Sequence, residues 1–471
     1  VITANAAAGG PTGNGLFVAN GGTLLLNTTL NAGLPLSGQT GSYSDMLIVD
    51  GTQLGTGATA ISVFNKGGLG AVTAGNGIAL VEVRNKTLSQ PGVFVLNGDF
   101  VSNGQQAVAG GLYAYALQQN GVGADANDGN WYLRSLVGPN GSTPLYQPGV
   151  ALYEAYPAIL RRLNTLPTFR QRVGERYYDP ANRATGDGQS RPAGGVWGRL
   201  EAGRDYSDPG LTASGTSFET TGLRMQVAAD GLLHESAQGK LIAALTAQYG
   251  TSHSTVSSAY GTGTVGATTY GLGGTLSWLD GSGFYADGQL GVNWYDSDLF
   301  SNELRRAVAR QNSGMGLATS IEVGQDLWLD DHWKLTPQAQ LIYSNTMFDS
   351  FSDSYGATVT ALGGDSLRGR LGLAANYLNT WQDSAGETSS LDTTAIVNVY
   401  NEFLPTGEVQ VAGTRLGGRS DSLWGGIGLG ATYAWADGKY SLYGDVSAST
   451  GLANFGSSAT LHGALGLKVR W

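Results

Sequence analysis

A chain of 471 residues with 74 glycines, no cysteine and a net charge of −10 excludes several classes at once. The acidic balance argues against nucleic acid as a partner, and the absent cysteines exclude a disulfide framework and thiolate chemistry. No apolar run approaches the ~18–20 residues of a spanning helix, so a membrane role requires a closed barrel, the other structure that satisfies every backbone group in lipid.

The chain opens on VITANAAAGGPTGNG, which lacks a basic stretch followed by an apolar core. No signal peptide is visible, and the chain reads as part of a longer precursor. Residues 1–148 are rich in Gly, Asn, Thr and Val. Short apolar runs recur, among them GTLLLNTTL, SDMLIVDG, ISVFNK, IALVEVRN, GVFVLNGDF, GLYAYALQQ and NWYLRSLV. Gly, Asn or Asp punctuates them, as in short strands joined by turns. Their spacing of roughly 15–20 residues predicts a repeat architecture. A right-handed parallel β-helix fits, each coil stacking its apolar residues on the next.

Residues 149–192 change character, and only here does helical periodicity appear. Ile159, Leu160, Leu163 and Leu166 fall near one face, while Arg161, Arg162, Arg170 and Arg172 make basic faces. Pro157 suits a first helical turn, and Pro167 predicts a kink or restart.

From 193 to 471 the period becomes two. Twelve strands of about 10–14 residues, long enough to cross a bilayer when tilted, are predicted near 194–204, 216–229, 239–250, 265–279, 283–296, 312–329, 333–346, 365–379, 390–402, 422–436, 439–449 and 459–471. Parity assigns the faces. Leu241, Ala243, Leu245, Ala247 and Tyr249 make one lipid-facing row, Phe284, Leu290, Val292 and Trp294 another, and Leu423, Ile427, Leu429, Ala431, Tyr433 and Trp435 a third. Trp278, Trp294, Trp328, Trp333, Tyr343, Tyr433, Trp435 and Trp471 gather at strand ends, the girdle pattern of membrane interfaces. A soluble sandwich also alternates, but rarely over twelve such strands in series. Connections at 280–283, 329–333 and 436–439 are tight. Those near 205–215, 250–264, 297–311, 347–364, 403–421 and 450–458 are predicted to be long. Short periplasmic turns and long external loops alternate in this way in outer-membrane barrels. The last strand, LHGALGLKVRW, puts Leu465, Leu467, Val469 and Trp471 on its lipid face, a C-terminal barrel signal. The expected fold is therefore all-β: a 12-stranded antiparallel transmembrane barrel with a plugging α-helix, preceded by the end of a parallel β-helix. The expected domains are 1–148, 149–192 and 193–471.

Taken in order, these residues resemble the monomeric type V autotransporters of Gram-negative bacteria. The twelve strands and the final Trp471 carry part of the resemblance. SDMLIVDG (44–51), GIALVEV (77–83), GVFVLNG (92–98), GGLYAYAL (110–117) and NWYLRS (130–135) resemble the end of a pertactin-like passenger, its autochaperone segment. YPAILRRLNTLPTFRQRVGE (156–175) resembles the linker before the barrel. The resemblance implies a passenger exported through, or together with, its own barrel and displayed at the cell surface, for adhesion or host interaction. It implies an autochaperone core of Tyr113, Tyr115, Trp131, Tyr132 and Leu133. As partners it implies outer-membrane lipid, the barrel-assembly machinery, periplasmic chaperones and a host surface or matrix. It implies a monomer without cofactor or metal.

The second parity of the barrel carries Glu201, Asp287, Glu322, Asp392, Glu402 and Asp445, with Arg199, Arg224, Arg368 and Arg370. Twelve strands enclose more space than their own side chains fill. A basic helix suits an acid-lined wall, and Arg161, Arg162, Arg170 and Arg172 are expected to meet those acids. The alternative is a solvated lumen, as in a porin with a periplasmic β-domain. A further alternative is a surface esterase or protease whose active site lies upstream of this chain. GDSL at 364–367 resembles a lipase nucleophile block, but no Asp-x-x-His block accompanies it among the four histidines, and a serine nucleophile needs such a base. Some autotransporters cut their linker by cyclisation of an asparagine. Asn164 is the candidate, with Glu201 or Glu322 to orient it; the plainer reading is a polar helix residue.

Overall fold

The computed structural model describes residues 2–4, 15–33, 44–138, 141–175, 194–384, 386–404, 407–418 and 421–471. Residues 176–192 of the expected linker lie outside these.

The N-terminal region begins with parallel coils. Strand β1 (Leu16–Thr28) pairs in parallel with β3 (Gly51–Asn65), and β3 with β5 (Phe94–Leu96). On a second sheet β2 (Leu47–Val49) pairs in parallel with β4 (Ile78–Val83). Leu26, Leu47, Val49, Ile61, Ile78, Leu80, Phe94 and Leu96 fill the space between the sheets. After Leu96 the coil pattern stops. β6 (Phe100–Ser102), β7 (Gln105–Gly110), β8 (Tyr113–Gln119) and β9 (Trp131–Arg134) are antiparallel, and β9 closes on β4. The physical reason is connection length: Asn103–Gly104 and Gly111–Leu112 are two-residue turns with positive φ at Asn103, Gly104 and Gly111, which join antiparallel neighbours but cannot span a coil. This hairpin layer covers the last coil. Trp131 and Leu133 complete its core. The buried Tyr115 hydroxyl accepts from Ala71 N–H (2.8 Å) and lies 2.9 Å from the Ala71 carbonyl. Burial pushes it up to about 12, so it remains a neutral donor at physiological pH.

The barrel consists of β10 (Gly195–Ser207), β11 (Ser217–Ser236), β12 (Gly239–Ser257), β13 (Thr262–Asp280), β14 (Phe284–Ser301), β15 (Arg306–Gln325), β16 (Trp333–Phe348), β17 (Ser366–Gln382), β18 (Thr388–Glu402), β19 (Leu423–Trp435), β20 (Tyr440–Gly451) and β21 (Ser458–Arg470). Each pairs antiparallel with the next, and β10 pairs with β21 to close the ring. Outward parity is apolar: Leu245, Leu290, Ile427, Leu429, Leu465 and Leu467 face the lipid. Two aromatic belts bound this face. Trp333, Trp381, Tyr433, Trp435, Tyr440 and Trp471 mark the short-turn end. Tyr249, Tyr270 and Trp294 mark the other belt. Trp278 pairs with Ala286, eight residues from Trp294 on β14. That is about 26 Å of strand, or ~20 Å once tilted, close to the apolar band of a barrel.

The strands do not end at the upper belt. β11 to β15 run 18–20 residues, well beyond the ~9–11 that a tilted crossing needs. The connections expected to be long at 250–264 and 297–311 are thus mostly strand, with turns only at 258–261 and 302–305. The first is Ser- and Thr-rich and the second is charged, so both read as loop, yet their strands still pair. Two of the other long connections, 349–365 and 403–422, build a small four-stranded sheet at the same end of the barrel. Replacing Leu465, mid-strand on the lipid face, by Arg should cost about 2–4 kcal/mol. The fraction of heat-modifiable, folded barrel on unheated gels should fall accordingly, whereas Leu465→Val should leave it unchanged.

Candidate functional site

Two helices occupy the barrel. α1 (Gly149–Leu163) lies at the long-connection end, and α2 (Phe169–Val173) lies deeper. Pro157 is in the interior of α1 rather than in its first turn, because the helix begins eight residues earlier. Pro167 lies between the helices, and a capping box of Thr168 and Gln171 restarts the chain as α2.

α1 is held mainly by apolar packing, not by charge as expected. Val150, Leu152, Tyr153, Tyr156, Ile159 and Leu160 are fully buried. They pack on Phe218, Val256, Val265, Leu299 and Val308 of the tall strands and on Val359, Val409, Val411 and Leu416 of the rim sheet. Phe100, Ala107, Leu112, Ala114 and Leu145 of the N-terminal region join the same core. Six such side chains contribute of order 10 kcal/mol before ordering entropy, more than any pair of exposed charges.

Charge takes over below α1. Arg162 pairs with Asp205 at 2.8 Å. Arg172, 1% exposed, meets Asp287 at 2.5 Å, which also accepts from Ser277. Arg170 pairs with Glu175 at 2.9 Å and donates to Asn376; Glu175 in turn meets Lys334 at 3.0 Å. Glu322, fully buried, accepts the first N–H of α2 at 3.0 Å, the Tyr285 hydroxyl at 2.8 Å and Arg370 at 3.3 Å. Arg224 donates to Glu201 and to the Thr165 carbonyl. Asp445 accepts from Gln171 at 3.4 Å. Arg368 lies on the wall near Glu402, 3.8 Å away, and among the described residues reaches no linker residue by an ion pair. Arg161 makes no ion pair among the described residues; it borders a polar cavity of about 230 Å³ with Arg199, Glu201, Arg224, Arg368 and Glu402. Gly174 needs its positive φ of 67°, and a Cβ there would meet Tyr443, whose hydroxyl donates to the Arg172 carbonyl.

Asn164, 1% exposed, caps α1. Its amide nitrogen donates to the carbonyls of Leu317 (3.0 Å) and Asn345 (3.2 Å), and its oxygen accepts from Asn293 (2.7 Å). Neither Glu201 nor Glu322 hydrogen-bonds it; each is held by arginine elsewhere. Ser366 of the GDSL stretch donates to Glu402 at 2.7 Å, as a strand-entry contact. Among the site residues missed from sequence are Lys334 and Lys468, buried on inner parity, and Glu154 and Asp353 at the mouth. Parity alone would have found the lysines.

The direction of the chain follows. The N-terminal region docks on the long-connection end: Gly111 N–H donates to the Tyr355 carbonyl, and Tyr146 stacks on Tyr113 and meets Tyr260 edge-on. The linker then descends the lumen to Glu175 at the short-turn end, where β10 starts. Long connections face outside, so residues 15–148 lie outside the cell. A porin with an open lumen and a periplasmic domain does not fit.

Residues 196–447 match the autotransporter β-domain family, and residues 12–117 match the type 1 autochaperone domain. The chain belongs to the autotransporter family. It is 41% identical over 475 residues to the adhesin BmaC autotransporter of Brucella suis biovar 1, covering 98% of this chain and 14% of that protein. It is 27% identical to the probable autotransporter YfaL of Escherichia coli, covering 96% of this chain and 34% of that protein. The chain thus spans about a seventh and a third of these relatives. The transport unit of the autotransporter AIDA-I from Escherichia coli superimposes with a TM-score of 0.50 at 17% identity, covering 69% of this chain and all of that one. The autotransporter's barrel sits in the outer membrane and carries its passenger at the cell surface.

Breaking one side of the buried Arg172–Asp287 pair should cost about 3–5 kcal/mol, because it strands a charge. In a double-mutant cycle on thermal unfolding, Arg172→Met and Asp287→Leu should each lower Tm, and the double variant should recover most of the loss.

Proposed function

We propose that the longer protein to which this chain belongs is a surface adhesin, with residues 149–471 as its translocator and residues 1–148 as the base of its stalk. The whole-chain similarity to a relative named as an adhesin carries this reading. The passenger's binding face then lies upstream of Val1, on coils continuing the parallel stack. The layer around Tyr113, Tyr115, Trp131, Tyr132 and Leu133 acts as the autochaperone: emerging first, it gives each later coil an apolar face to stack on. The lipid-face signal of Leu465, Leu467, Val469 and Trp471 engages the barrel-assembly machinery, and periplasmic chaperones deliver the unfolded chain. The host surface or matrix is the final partner.

The full-length protein, expressed in a non-adherent outer-membrane host, should raise attachment to host cells or matrix. Deleting everything before Val1 should abolish that gain while leaving an epitope at Val1 open to protease on intact cells. Equal attachment by both forms would refute the adhesin reading.

We further infer that this chain is no enzyme and that Asn164 anchors the plug instead of cutting it. The hydrogen bonds of its side chain with Leu317, Asn345, Thr346 and Asn293 support this reading. The protein from outer membranes should run as one polypeptide across the linker, and Asn164→Ala should not change its mass. A barrel fragment beginning at Thr165, lost in Asn164→Ala, would establish self-cleavage.

A further inference from the structure

Two buried carboxylates outside the charged lumen join α1 to the rim. Glu154, on α1, is 5% exposed. Its Oε1 accepts from Ala213 N–H at 2.7 Å; its Oε2 accepts from Ser214 N–H at 3.1 Å, the Ser214 hydroxyl at 2.5 Å and the Thr216 hydroxyl at 3.4 Å. Every donor comes from the connection 208–216. Asp353, 8% exposed, has the reverse arrangement. It belongs to the rim, and its Oδ2 accepts from the Tyr153 hydroxyl and from Gln147 Nε2, both at 2.7 Å. Its Oδ1 holds its own loop through Tyr355 and Ala357 N–H, both at 2.8 Å.

We propose that Glu154 and Asp353 form a two-sided latch that sets where export stops and holds the outer mouth closed. Chain order supplies the timing. α1 reaches the mouth only when every residue before Gln147 has left it, so both sets of bonds form at the last step. Helix periodicity supplies the register. The neighbours of Glu154 one turn away are Val150, Ala151, Pro157 and Ala158, none with an acceptor side chain. A slip of one turn would leave the N–H and hydroxyl of Ser214, 1% exposed, and the hydroxyl of Thr216, 3% exposed, facing apolar atoms, an outcome that buried donors strongly disfavour. The latch also fastens connections from two sides of the ring, 208–216 and 349–365, onto one helix.

The proposal depends on the outward orientation of residues 15–148, and one set of cells tests both. The full chain is compared with Glu154→Gln, Asp353→Asn and the double variant. Each substitution keeps the side chain's shape and removes its charge: Glu154→Gln turns an NH2 group toward the N–H of Ala213 or Ser214, and Asp353→Asn turns one toward either the N–H groups of Tyr355 and Ala357 or the Nε2 of Gln147. Folded barrel on unheated gels and protease removal of an epitope at Val1 on intact cells should match wild type. In planar bilayers the purified variants should open roughly tenfold more often per latch lost, the weight of about one charge-assisted hydrogen bond. The chain has no cysteine, so Thr165→Cys reports register: an impermeant maleimide should label it from outside faster in the double variant. Wild-type opening and wild-type labelling in the double variant would overturn the latch. If Glu154→Gln fails to assemble, Ser214→Ala removes one donor without touching the charge and should give a smaller rise in opening; no rise would overturn the Glu154 side. An epitope protected in the wild-type chain would overturn the outward orientation, and the latch with it.

Discussion

The structure depends on an apolar plug in a polar pore. α1 is greasy on nearly all sides, which for a surface helix would be ruinous. Here the tall strands β11–β15, the rim sheet and the N-terminal hairpin layer surround it. Each of those elements has an apolar face that would otherwise meet water. One helix therefore completes three partial cores, and the exported region, the linker and the barrel become one packed body.

Below that plug the chemistry inverts. An apolar wall would hold an entering linker in any register. Hydrogen-bonding walls exchange partners cheaply while the space is wet. Once α2 arrives, the same groups become a specific set: Asp287 for Arg172, Glu322 for the helix N-terminus, Lys334 for Glu175. Such buried pairs add little net stability over apolar packing but penalise any other arrangement. They specify position, while α1 supplies adhesion to the wall.

Much of this was legible in the sequence. Period-two alternation located all twelve strands, because lipid imposes its pattern on one face of each. The three tight connections named from sequence were legible through their Gly and Asp residues. What failed was whatever lay outside lipid. Above the membrane, Gly250–Ser257 carries no apolar row, so an ordinary paired strand looked like loop. That error hid the wall against which α1 packs, and α1 was then assigned to the charged lumen by its arginines, although only its C-terminal turn reaches there. Glu154 and Asp353 were invisible for a related reason: their partners are backbone N–H groups and residues far along the chain, which no local spacing encodes. The antiparallel layer after Leu96 was concealed because its strands share the composition of the coils before it.

The path of the linker has a mechanical consequence. The chain enters the pore at the outer mouth and turns back at the far end to begin β10. Tension on the stalk, as under flow, would reach β10 at Gly195 and draw that end back up the lumen. A strand pulled so is peeled, its 13 register pairs with β11 failing one after another instead of together. The helices intercept the load first, because the core around α1 and the ion pairs of α2 lie in series between the stalk and that vulnerable end. The plug works as strain relief works on a cable: force is taken up by the sleeve, and the soldered joint behind it stays slack.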